Sequence, residues 1–77
     1  MPDLTLHDGR EITIDPYAIT HKEFTRIVER TTTNEEDDII IARACGMTAE
    51  DVAEMSEKEW RRVTKAVFAK VTTPDPL

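Results

Sequence analysis

Thr33-Asn34-Glu35-Glu36-Asp37-Asp38-Ile39-Ile40-Ile41-Ala42-Arg43-Ala44-Cys45-Gly46 is the stretch on which the fold turns. Three consecutive β-branched isoleucines would suit a strand. The flanks argue for a helix. Thr33 with Glu36 three residues on is a capping signature. The acids Glu35, Glu36, Asp37 and Asp38 then fall in a first turn, where the helix dipole favours negative charge. Ala42 and Ala44 continue a helix, and Gly46 is a natural terminator. Successive isoleucines on a helix point in different directions. This helix is therefore predicted to be contacted on more than one side.

Towards the N-terminus the pattern changes to alternation. Leu4 and Leu6 are separated by Thr5, and Ile12 and Ile14 by Thr13. Between them Asp8-Gly9 is a two-residue turn signal, because Gly adopts positive φ freely. Leu4, Leu6, Ile12 and Ile14 are expected to share one face of a hairpin. A lone hairpin is unstable in water, so that face must pack on something. Asp15-Pro16 ends the second strand, since Pro lacks the ladder donor. Thr20 to Glu23 forms a capping box, and Phe24, Ile27 and Val28 follow at helical spacing, with an end near Glu29 to Thr31.

Towards the C-terminus, Thr48 to Asp51 opens a short helix with Val52 and Met55 inward. Ser56-Glu57-Lys58-Glu59 reads as a further capping box. It opens the longest helix, running to about Val71. On that helix Trp60, Val63, Val67 and Val71 form one stripe with Phe68 at its edge. Lys58, Arg61, Arg62 and Lys65 cluster opposite. The expected fold class is α+β: an N-terminal β-hairpin packed on a small bundle of three to four short α-helices. Residues 1–73 make one small domain and 74–77 a disordered tail.

The chain has 77 residues, a net charge of -6 and one cysteine. That length holds one small core, and such a domain often gains burial from a partner. The acidic balance opposes nucleic-acid binding, which needs Lys and Arg against phosphates. A single thiol closes no internal disulfide, and no Cys/His cluster suggests zinc. No apolar run approaches a membrane span, and no signal peptide is read at the start. The expectation is a soluble, intracellular protein with no metal, cofactor, nucleic-acid or membrane partner.

Catalytic patterns are missing from the sequence. His7 and His21 have no spaced nucleophile or carboxylate partner. Cys45 sits at the C-terminal end of a helix, the wrong end to lower a thiol pKa. The acidic run at 35–38 lacks the alternating ligands and central Gly of a calcium loop. An enzyme is therefore not expected. The last helix carries the functional reading instead. Its stripe is first of all core, and its basic face first of all solvated. The sharper reading makes Met47, Met55, Trp60, Val63, Val67 and Phe68 an accessible apolar partner site, flanked by Lys58, Arg61, Arg62 and Lys65. A third reading pairs the basic face with the acidic face of another copy, giving a homo-oligomer.

The order of segments resembles the small tail assembly chaperones of long-tailed bacteriophages. The likeness is carried by Asp8-Gly9-Arg10-Glu11-Ile12-Thr13-Ile14-Asp15, by Ala42-Arg43-Ala44-Cys45-Gly46-Met47-Thr48-Ala49-Glu50-Asp51-Val52, and by Glu59-Trp60-Arg61-Arg62-Val63. Met47 and Met55 stand where leucine is more usual. The resemblance implies a non-enzymatic protein of the host cytoplasm that binds the tape measure protein, keeps it soluble during tail assembly and is absent from the mature virion. The alternatives are a generic protein-interaction adaptor, or a small nucleic-acid-binding regulator using the basic final helix.

Overall fold

The structure, a computed structural model, describes residues 2–73. The tail expected at 74–77 lies outside the described residues. Strands β1 (Leu4–Thr5) and β2 (Glu11–Ile12) pair antiparallel, with Leu4 opposite Ile12 and Thr5 opposite Glu11. The connection is not the two-residue turn that Asp8-Gly9 suggests. The Gly9 N–H donates to the Leu6 carbonyl at 2.9 Å and the Leu6 N–H to the Arg10 carbonyl at 2.8 Å. Residues 7–9 thus form a three-residue loop, with Gly9 at φ +90° in the conformation that closes it. The reason is parity. Side chains alternate with period two, so a two-residue loop would set even-numbered residues against odd-numbered ones. The three-residue loop pairs even with even, and Leu6, Ile12 and Ile14 all become buried. Beyond β2 the ladder is continued by a side chain: the Ile14 N–H donates to the Asp3 carboxylate at 2.8 Å.

Asp15 caps a short 3-10 turn, Pro16–Ala18, and its own N–H donates to the Ala44 carbonyl at 2.8 Å. Helix α1 (His21–Val28) opens with the full capping box at Thr20 and Glu23. It closes with Arg30 at φ 59° and with the Thr31 N–H on the Arg26 carbonyl at 2.9 Å. Helix α2 (Asn34–Cys45) includes the three isoleucines. Thr33 Oγ1 accepts from the Glu36 N–H at 3.2 Å; the Glu36 carboxylate pairs with Arg26 at 2.9 Å and accepts from the Thr33 hydroxyl at 3.4 Å, not from the Thr33 backbone N–H as a full capping box would. Gly46, at φ 69°, ends α2, and the Met47 N–H donates to the Ala42 carbonyl. Helix α3 (Ala49–Ala53) carries a complete capping box at Thr48 and Asp51, and α4 (Glu57–Thr72) starts at Ser56.

The core explains why α2 tolerates the isoleucine run. Ile40, Ile41, Ala42, Ala44 and Cys45 are all buried, so α2 is enclosed on several sides. Leu6, Ile12 and Ile14 of the hairpin, Ile19, Val52 of α3, and Val63 and Val67 of α4 complete one cluster around it. Ile39 alone of the triplet faces outward, 53% exposed. Among the described residues no buried side-chain nitrogen or oxygen lacks a partner. No helix among them is long and apolar enough to cross a membrane.

Candidate partner-binding face

Helix α4 sorts the expected site residues by their angle around its axis. Val63 and Val67 are 0% exposed and belong to the core. A partner of the folded domain cannot reach them, so they leave the contact set. Trp60 and Phe68 lie at the flanks of the same stripe and are half-buried. Trp60 forms a ridge with a depression on each side. On one side a small apolar hole of about 60 Å³ is lined by Ile27, Asp37, Ile41, Thr64 and Phe68 along with Trp60. Its outer wall is braced by Phe24, whose ring meets Phe68 edge-on at 5.9 Å between centroids.

On the other side of Trp60 lies a wider groove of about 360 Å³, lined by Asn34, Asp38, Val52, Ala53, Met55 and Glu57. Asp38 and Ala53 are shared with a second depression of about 230 Å³, completed by Glu35, Ile39, Ala49 and Glu50. The two form one shelf along α2 and α3. Met47 is not part of it. It is half-buried beyond Gly46, and its Sδ lies 3.9 Å from Arg10 Nη1 near the hairpin. Of the expected apolar set, the fold brings together Met55, Trp60 and Phe68. It adds Ile39, Ala53 and Ile27, which sequence reading did not single out for this role.

The basic residues of α4 are not a uniform free face. Arg62 Nη1 donates to Glu59 at 3.0 Å and its Nη2 to the Thr5 carbonyl at 3.2 Å, so it bridges α4 to β1. Arg61 Nε pairs with Glu57 at 3.1 Å on an exposed turn. Lys70, outside the expected set, grips Asp3 at 2.7 Å. Lys58 and Lys65 are exposed, and Lys58 lines a surface cavity with His7, Met55 and Arg62. Arg62 and Lys70 therefore fasten the hairpin, while Lys58, Arg61 and Lys65 stay on the exposed side of α4.

Glu59 was hidden by its own motif. Ser56-x-x-Glu59 reads as a capping box, and Ser56 Oγ does accept from the Glu59 N–H at 3.2 Å. The carboxylate, however, turns inward. The side chain is 6% exposed, and its carboxylate accepts from the His7 backbone N–H at 3.3 Å as well as from Arg62. Only the tertiary meeting of hairpin and α4 reveals that use.

Groups capable of covalent chemistry are dispersed. His7 lines two surface cavities beside Glu59, and neither includes His21 or Cys45. Burial pushes the Cys45 thiol up to about 11, so it stays protonated and a poor nucleophile at neutral pH. Among the described residues no group of three or more His, Cys, Asp or Glu side chains is arranged to hold a metal ion. Among the described residues the one strongly shifted carboxylate is structural. Arg43 Nη2 lies 2.5 and 2.6 Å from the two Glu23 oxygens, and with the Thr20 N–H it holds Glu23 down to about 2. That pair joins α1 to α2. Comparison of the chain with known protein families, curated proteins and solved structures finds no match in any of the three.

Proposed function

We propose that this protein is a non-enzymatic tail assembly chaperone of a long-tailed bacteriophage, which binds the tape measure protein in the host cytoplasm and keeps it soluble until the tail tube forms around it. The observation that carries the reading is the row of half-buried apolar side chains Met55, Trp60 and Phe68, with a small apolar hole on one side and a groove of mixed lining on the other, on a domain whose core is otherwise closed. A long helical protein exposes apolar stripes that self-associate in water. A holdase needs greasy surface of its own to cover them, as in helix-in-groove recognition. The ridge of Trp60 between two depressions is shaped for that, with a hole on one side of the size of a methyl or isopropyl group. The net charge of -6 keeps a complex soluble. Release requires modest affinity, which suits a small surface repeated over many copies.

Two further observations favour protein over nucleic acid as the partner. Arg62 and Lys70 are engaged with the hairpin, and the shelf beside Trp60 is bordered by carboxylates that would repel phosphates. The test is co-expression with fragments of a tape measure protein. Soluble complex is expected with the wild-type chain, and less with Trp60→Ala or Phe68→Ala variants that remain folded by circular dichroism. A fragment that stays insoluble with the wild type, or stays soluble with both variants, would overturn the reading.

A further inference from the structure

We infer that the shelf between α2 and α3 receives a helical segment whose apolar stripe is bordered by lysine or arginine, an inference that rests on reading the domain as a protein-binding module. The floor is apolar and low. Ile39 is exposed while Ile40 and Ile41 beside it are buried, and Ala49 and Ala53 present only methyl groups. Met55 and Trp60 form the adjoining wall. A flat channel with small side chains between two helices lets another backbone approach closely, which suits a helix laid along it.

The rim decides the charge of the occupant. Asp3, Glu23, Glu36, Asp51, Glu57 and Glu59 each hold a cation within ion-pair distance. Glu35, Asp38 and Glu50, all on the rim of the shelf, have no such partner among the described residues. Three carboxylates without an ion-pair partner, set around an apolar floor, disfavour an acidic segment and favour one with basic flanks. In a second copy of this chain α4 is a poor occupant, because Val63 and Val67, the middle of its apolar stripe, are turned into its own core.

The test uses two synthetic helical peptides with the same leucine stripe, one flanked by lysines and the other by glutamates. Each is titrated into the 77-residue chain, with Trp60 fluorescence giving affinity and backbone amide shifts giving location. The lysine peptide is expected to bind about tenfold or more tightly than the glutamate peptide and to shift Ile39, Ala49, Ala53 and Trp60. The double variant Asp38→Asn, Glu50→Gln should weaken it roughly tenfold, with binding that falls as salt rises. Glu29→Gln, a loss of charge at the end of α1, should change it less than about twofold. Equal affinity for both peptides, shifts confined to the Phe24–Phe68 side, no binding of either peptide, or a dimer dissolved by Ile39→Lys would each overturn the inference. A tape measure fragment held equally well by the wild type and the double variant would sink this inference alone. A lysine peptide seated on the shelf, without any solubilised tape measure fragment, would sink only the chaperone reading.

Discussion

Arg30 holds a left-handed φ of 59° at the end of α1, where glycine would sit without strain. The Cβ penalty there is about 1 kcal/mol. Arg30→Gly is expected to stabilise the domain by about 0.5–1 kcal/mol, read as a higher urea midpoint. Glu59 makes the opposite case. Glu59→Ala leaves the His7 N–H and Arg62 Nη1 without their acceptor, and should cost about 2 kcal/mol in chemical denaturation. His7→Ala should cost much less, because the bond comes from the backbone amide and the imidazole is 74% exposed. A large loss in His7→Ala would mean that the imidazole, not the amide, is what Glu59 serves.

Elements meet through a few charged ties, and one of them sets the response to acid. Glu23 is ionised in the folded state down to about 2, against 4.5 for an unconstrained glutamate, because Arg43 and the Thr20 amide favour its charge. A lowered carboxyl stabilises the fold fully above 4.5, and that share is lost as pH falls from 4.5 towards 2. Much of the pair is open to solvent, so the share is below about 1 kcal/mol. Glu23→Gln should therefore lower the urea midpoint at pH 7 and match the wild type near pH 2. What was legible at this scale was local. The caps at Thr20, Thr33, Thr48 and Ser56 and the stop at Gly46 all depend on neighbours within a few residues, and all appear where the sequence puts them. Where Glu36 and Glu59 send their carboxylates was not legible, because Arg26 and the hairpin arrive from elsewhere in the chain. The hairpin loop was misread for a related reason. Asp8-Gly9 is compatible with two loop lengths, and only the need to bury Leu6, Ile12 and Ile14 together selects the longer.

At the scale of the whole molecule, apolar side chains divide into those that hold the fold and those left for other use. The periodicity of α4 identified the stripe but could not say which of its members stay at the surface, since that depends on how α1 and α2 crowd its two sides. Val67→Ala should cost roughly 2 kcal/mol, because a fully enclosed methyl pair is lost in a small core. Ile39→Ser should stay within about 0.5 kcal/mol of the wild type. Thermal or urea melts of the two variants check the division, and similar losses in both would erase it. The tie between Lys70 and Asp3 has a mechanical consequence. It draws the first strand against the last turns of α4, so the described chain nearly closes on itself. Tension applied across those two ends would fall first on that ion pair and the hairpin ladder, backed by the bonds from Ile14 to Asp3, from Arg62 to Thr5 and from His7 to Glu59. Such a body yields as a clasp does: the strands peel away first, and the helices come under load only afterwards.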